Sequence, residues 1–268
     1  ETRASTPTLE HGTTRKGPSM PKPTRATVKP KEQGIELPQC WQDVEDALNA
    51  GIDRIILFGP PGTGKTYAGL NLGDVEAGAH RLICTDDMTN AEVTGHYIPS
   101  GNDWQWKDGT AVKAWQGDGL RGGRLVVDEI DKAGGDVYAT LLAMTDTPDS
   151  AKWERPTDGR TLRPLDGFSV VMTTNIEDMR ELPEALLDRF AIAIRINQPH
   201  PNALAKLSPD LRKYAIRMCD AGERRISLRT IFAFDKLRTT LGEERASNLV
   251  FGDRAQSFRD AIAVDKVA

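Results

Sequence analysis

Residues 54–66 read RIILFGPPGTGKT, an apolar run of strand length that breaks on glycine and proline and then meets Lys65 and Thr66. From Gly59 to Thr66 the spacing is G-x-x-x-x-G-K-[ST], preceded by a buried-strand pattern and followed by a helix, the context this pattern needs to carry chemistry. Glycines let successive backbone N–H groups turn inward at a helix N-terminus and cradle a β-phosphate. Gly59, Pro60, Pro61, Gly62, Thr63 and Gly64 make the loop, Lys65 reaches β- and γ-oxygens, and the Thr66 hydroxyl stands where it can ligate magnesium. The competing reading, a Gly/Pro turn with a merely solvated lysine, does not explain the strand before and the helix after.

Downstream, 125–131 reads LVVDEID and puts Asp128 and Glu129 at the end of a second buried strand. An acidic pair there is costly unless a cation or a reacting water uses it. Asp128 is read as the magnesium residue and Glu129 as the group that polarises the attacking water. A third strand, 168–173, ends on Thr174-Asn175, and the amide of Asn175 can orient that water, although an Asn after a strand is also an ordinary turn residue. Residues 182–190 form a short helix that delivers Arg189 just before the last strand, where a surface ion pair is the plain alternative. In 225–229, Ser227 caps a helix whose first turn carries Arg229. A cation there opposes the helix dipole, which a bound anion would explain.

Between these motifs the chain alternates strand runs at 54–58, 81–85, 124–127, 168–173 and 192–196 with amphipathic segments. The fold class expected is therefore α/β: a five-stranded parallel sheet with flanking helices. Two hairpins interrupt it, 96–100 with 104–107 around Gly101-Asn102, and 151–155 with 160–163 around Thr157-Asp158-Gly159. A helix starts near Pro38 with Val44, Ala47 and Leu48 on one face. After Pro199 the strand signals stop, and helices are expected at 201–207, 210–220, 228–241 and 255–264. Three regions follow: a basic Pro/Thr-rich tail at 1–34 with too few apolar side chains to order it, a nucleotide-binding domain at 35–198, and a helical domain at 199–268.

Composition removes several classes. Cys40, Cys84 and Cys219 are odd in number and lack C-x-x-C spacing, which argues against a disulfide framework and for a reducing, cytoplasmic setting. The four histidines never fall at metal-ligand spacing. No apolar run approaches the roughly 18 residues that span a bilayer. A net charge of −4 provides no general pull toward nucleic acid, which leaves DNA contact to a local patch.

Taken in order, the phosphate loop, the Asp-Glu strand, the Asn-ended strand, Asp188-Arg189-Phe190 and Ser227-x-Arg229 resemble an AAA+ ATPase. Thr94-Gly95-His96-Tyr97 through Trp106-Lys107-Asp108-Gly109, and Asp158-Gly159 before Phe168, are similar to the two hairpins of the MoxR-like branch, with Asp131 standing where many of those sequences carry Asn. The resemblance covers about residues 37–240. It implies ATP and Mg2+ as cofactors, with Asn175, Arg189 and Arg229 as sensor 1, arginine finger and sensor 2. It also implies a homo-oligomeric, six-membered ring with a small C-terminal helical lid, and a protein substrate or adaptor, often of von Willebrand factor A type, which the ring remodels or assembles.

A small-molecule kinase has no use for Asp128-Glu129 followed by Asn175. A guanine site built on Asn-Lys-x-Asp is absent, because no Asn is followed by Lys; McrB-like AAA+ proteins nevertheless use GTP, so ATP is the expectation carried by the resemblance. The main rival is a DNA-directed AAA+ motor or helicase loader using Arg155, Arg160 and Arg163 on the second hairpin. Tyr97, Trp104 and Trp106 on the first hairpin suit gripping a polypeptide instead, and both hairpins packing within one subunit is the third reading.

Overall fold

Aliphatic strands buried on both faces decide the architecture. The computed structural model describes residues 37–220 and 226–267. In chain order the strands are β1 (Arg54–Phe58), β2 (Ala79–Ile83), β3 (Gly95–Ser100), β4 (Asp103–Asp108), β5 (Arg124–Asp128), β6 (Trp153–Glu154), β7 (Thr161–Leu162), β8 (Ser169–Thr173) and β9 (Ile192–Arg195). The helices are α1 (Gln39–Asn49), α2 (Lys65–Asn71), α3 (Asn90–Thr94), α4 (Thr110–Gln116), α5 (Gly135–Met144), α6 (Glu184–Arg189), α7 (Pro201–Leu204), α8 (Pro209–Asp220), α9 (Leu228–Leu241), α10 (Glu243–Phe251) and α11 (Ala255–Val267).

Five strands form one sheet in the order β2-β5-β8-β1-β9, with every neighbouring pair parallel. The period of two along each strand feeds two cores. Ile56, Leu125, Val127 and Met172 face one, with Trp115, Leu141 and Phe190. Ile55, Leu57 and Val171 face the other, against Trp41 and Val44 of α1 and Ala68 of α2. Each such side chain contributes roughly 1.5–3 kcal/mol when fully buried. Helix α2 lies close on the sheet because Gly69 has no side chain: a Cβ there would stand 3.0 Å from a Val126 methyl.

One buried cation ties α2 to the sheet. Arg124 opens β5 at 3% exposure and donates to the carbonyls of Gly69, Leu72 and Asp74 at the end of α2. Burial lowers its pKa from the usual guanidinium value, with Asp74 opposing. The guanidinium thereby satisfies the carbonyls that a helix end leaves open.

Helices α7–α11 have their own apolar core of Leu211, Tyr214, Ile231, Phe234, Phe251, Phe258 and Ile262. Arg238 on α9 holds Asp210 on α8 through two hydrogen bonds of 2.6 and 2.9 Å.

Several expected boundaries moved. Strand β2 occupies Ala79–Ile83, not 81–85, because its register is set by the fully buried β5, with Ala79 opposite Arg124 and Ile83 opposite Asp128. Thr85 is already in a turn, bonded to Asp87. The second hairpin keeps only two pairs, Trp153 with Leu162 and Glu154 with Thr161. The helix expected at 201–207 ends at Leu204, while that at 255–264 runs to Val267. Helix α10 had no counterpart in the sequence reading: Gly242 stops α9 at φ 79°, and Glu243 and Glu244 then open a new helix at its favourable end. The tail expected at 1–34 lies outside the described residues.

Candidate functional site

The loop from Gly59 to Thr66 leaves the C-terminal end of β1 and enters α2, as its sequence demands. Lys65 is only 5% exposed, and its ammonium donates to the carbonyls of Gly59 and Pro60, both at 2.8 Å, and to Asn175 Oδ1 at 3.0 Å. Those three acceptors match its three protons. Burial lowers the Lys65 pKa from 10.5 to about 8; Asp128, Glu177 and Glu129 oppose that fall, and Arg229 adds to it.

Strand β5, the neighbour of β8, brings the carboxylates to the same end of the sheet. Asp128 Oδ1 accepts from the Thr66 hydroxyl at 2.8 Å and from the Thr173 hydroxyl, while Oδ2 accepts from Nε of Arg81 at 3.0 Å and from its Nη2. Burial acts to raise the Asp128 pKa, but the hydrogen bonds from Thr173, Arg81 and Thr66 outweigh it and hold the carboxyl below its ordinary range. Thr66 and Asp128 offer hydroxyl and carboxylate oxygens, the hard donors that suit magnesium. Among the described residues, no group of three or more His, Cys, Asp and Glu is placed to hold a metal by itself. A hydrated cation that takes further ligands from phosphate oxygens is therefore the form these two donors fit.

Glu129 is the single non-glycine residue with positive φ among the described residues, at φ 59° and ψ 49°. A left-handed glutamate stores on the order of 1–3 kcal/mol of strain, a feature that clusters at functional sites. Its carboxylate accepts from Asn175 Nδ2 at 3.4 Å. The one amide of Asn175 thus bridges Lys65 and Glu129. The neighbouring Asp131 accepts from the Thr174 hydroxyl at 2.7 Å, which anchors the turn after Glu129 to the end of β8.

The helical segment closes on the loop. Ser227 caps α9 by accepting from the Thr230 N–H, and Gly62 lies so near that a Cβ on it would stand 2.9 Å from Ser227 Cβ. With φ at +78° as well, Gly62 has two reasons to be glycine. Arg229, in the first turn of α9, is exposed, and its charge acts on Lys65.

Arg189 sits elsewhere. It ends α6, three residues before β9, and Ile192 at the start of β9 pairs with Ile55 near the start of β1. Its guanidinium donates to Ala185 O at 2.9 Å and pairs with Asp146 at 3.4 Å. Asp146 in turn gives its carbonyl to Arg54, the first residue of β1. Arg189 therefore lies at the entry end of β1, whereas the phosphate loop leaves the exit end. Five residues of strand separate them by about 15 Å.

The hairpins lean on each other. Trp106 of β4 stacks on Trp153 of β6 with centroids 5.9 Å apart, and Arg155 donates to Asp108 at 3.0 Å. Arg155, one of the three arginines considered for DNA, is thus engaged within the chain, and Arg163 donates to the Asp149 carbonyl. Trp106 is likewise not a free grip. Trp104 remains 69% and Tyr97 46% exposed.

The sequence reading missed two residues at this site, Arg81 and Thr173. Thr173 lies two residues before Asn175 on the same strand end. Arg81 looked like the first residue of its strand, and the available signal was a lone cation on a strand paired with the one ending in Asp128-Glu129.

The AAA domain (dynein-related subfamily) matches residues 54–190, just over half of the chain. Protein NorQ of Paracoccus denitrificans is 26% identical over 162 residues, which cover 59% of this chain and 57% of NorQ. Denitrification regulatory protein NirQ of Stutzerimonas stutzeri is 28% identical over 128 residues, 45% of this chain and 42% of NirQ. A 26S proteasome regulatory subunit 8 homolog of Naegleria fowleri is 29% identical over 224 residues, 76% of this chain and 46% of that protein. The chain spans about half the length of the relatives it matches. NorQ and NirQ agree with the resemblance to MoxR-like AAA+ ATPases read from the motifs. Among the described residues, no helix is long and apolar enough to cross a membrane.

Proposed function

We propose, because this chain belongs to the AAA domain family, dynein-related subfamily, that it hydrolyses ATP with magnesium as one subunit of a ring, expected to have six members, that remodels or assembles a protein partner. The observation that carries this reading is the chain of contacts Lys65–Asn175–Glu129 beside Thr66–Asp128, which brings three motifs to one end of the sheet.

Each residue then has a task. Gly59 to Gly64 hold the phosphates through backbone N–H groups, and Lys65 moves its ammonium from loop carbonyls to β- and γ-oxygens. Thr66 and Asp128 hold magnesium, which when bound offsets phosphate charge. Glu129 takes the proton from the attacking water, and Asn175 orients that water. Arg229 brings the helical segment, residues 199–268, to the γ-phosphate as a lid over the nucleotide-binding domain at 35–198. Arg189, at the opposite end of β1 from its own loop, serves the site of a neighbouring copy. The exposed Trp104 and Tyr97 favour a polypeptide partner, for which a von Willebrand factor A-type protein is the model. A DNA-directed motor is the lesser reading, because Arg155 is engaged by Asp108. A cytoplasmic setting accompanies the reading.

The test is the ATPase rate of the purified chain, with and without magnesium, and then with single- or double-stranded DNA or a candidate protein partner added at several salt concentrations. Magnesium-dependent hydrolysis that a protein stimulates and DNA does not is the expected result. Stimulation by DNA that fades with salt would transfer the protein to the rival class.

A further inference from the structure

We propose that Arg81 is a positioning residue of the magnesium site: a resident cation that holds the Asp128 carboxylate before any metal arrives and with which a divalent cation must compete. This rests on the reading of Thr66 and Asp128 as the metal donors.

Asp128 has a side chain 7% exposed, and an ionised carboxylate in that position is costly without compensation. Its four hydrogen bonds divide unevenly in charge. The two on Oδ1 come from hydroxyls, Thr66 and Thr173, which bring no net charge. Both on Oδ2 come from one guanidinium, through Nε at 3.0 Å and through Nη2. The other cation nearby, Lys65, has all three protons committed to Gly59, Pro60 and Asn175. Among the described residues, Arg81 is therefore the positive group in contact with Asp128.

The geometry is not that of an ordinary cross-strand pair. The residue opposite Asp128 is Ile83, and Arg81 stands opposite Val126, on the same face two residues back, from which it reaches along the sheet to the carboxylate. Strand β2 is at the sheet edge, and the Arg81 side chain stays 41% exposed. It can leave toward water without disturbing the packed core. Leu82, the buried residue of the same strand, points to the opposite face and anchors β2.

A second cation on the same carboxylate is opposed by the first. In the nucleotide-free site Arg81 holds Oδ2, so free divalent metal binds weakly. Nucleotide phosphates bring enough negative charge to admit the metal beside Arg81 or in its place. Arg81 in this way favours arrival of metal together with nucleotide, and it keeps Asp128 oriented in between.

Mn2+ is the probe, titrated into the nucleotide-free full chain and followed by the electron paramagnetic resonance signal of free Mn2+, with melting temperature read alongside. Arg81→Met is expected to bind Mn2+ at least tenfold more tightly than the parent. Its melting temperature should fall in chelator and recover with Mg2+, while that of the parent scarcely responds. Arg81→Lys, which retains the charge, should stay within about threefold of the parent. Arg81→Gln carries the same expectation as Arg81→Met should the latter not fold. Equal or weaker Mn2+ binding by the neutral variants overturns the proposal. Parent protein that takes up no Mn2+ even with ATP present removes the metal reading of Thr66 and Asp128 itself, and the role of Arg81 goes with it.

Discussion

At the exit end of β1 Lys65 gives all three protons to acceptors of its own chain, and Asp128 receives four donors. At the entry end, Arg189 keeps its Nε buried without a hydrogen-bond partner among the described residues, and the hydroxyl of Tyr138, on which the charge of Arg189 acts, is likewise unpaired among them. Buried polar groups are nearly always paired, and leaving one unpaired costs roughly 1–3 kcal/mol. The contrast teaches that the polar groups at one end are satisfied within the chain, while at the other Asp146 and Ala185 hold the guanidinium in place without satisfying all of it. On the function proposed above, these two ends are what neighbouring copies of this chain would bring together.

The largest effect that could break this comparison belongs to Arg189. Arginine fingers acting in trans accelerate hydrolysis by about 10³–10⁵. Arg189→Ala is expected to bind ATP like the parent, measured by calorimetry, and to lose nearly all turnover. Mixed with Lys65→Ala, which lacks nucleotide binding but retains its arginine, it should recover part of the rate once labelled subunits are shown to share particles. Mixed particles without recovered activity would place Arg189 back in its own subunit.

Next in size is Glu129→Gln. The amide cannot take a proton, so the rate should fall by about 10²–10⁴ while ATP stays bound. Single-turnover measurement with radiolabelled ATP reads both quantities, and a parental rate would remove Glu129 from catalysis.

The satisfied end also depends on its scaffold. Arg124→Met leaves the carbonyls of Gly69, Leu72 and Asp74 without their donor, so a stability loss of at least about 1–3 kcal/mol is expected. At roughly 2–4 °C per kcal/mol for a chain of this size, differential scanning calorimetry resolves it. An unchanged melting temperature would show that Arg124 does not brace α2.

The smallest effect sharpens the contrast at the other end. Tyr138→Phe removes a buried hydroxyl that bonds to nothing among the described residues, so the isolated subunit should change by no more than about 0.5 kcal/mol or gain slightly. A clear loss of stability in chemical denaturation would mean that the hydroxyl is already used within the subunit.

Much of this was legible from residues 54–66 and 125–131, because local order carries both the strand run and the chemistry that follows it. Four of the five sheet strands, the Gly101-Asn102 hairpin and the Ser227 cap appear where spacing put them. Strand β2 slipped by two residues and α10 was missed, since the first depends on its partner strand and the second on burying Ala246 and Phe251 in a core assembled from other helices.

By itself the sequence determined which residues are chemically fit for the site: a glycine loop, a lysine, the Thr66 hydroxyl, two carboxylates and an amide on the ends of alternating strands, where parallel pairing must gather them. Tertiary structure alone decided which of them touch. Asn175 lies 110 residues from Lys65 and 46 from Glu129, yet bonds to both. Arg81 reaches Asp128 because register sets β2 against β5, and Arg189 stands at the end of β1 opposite the loop because strands entered from one end expose their chemistry at the other. Such pairings depend on distances across a sheet, which no spacing along the chain encodes.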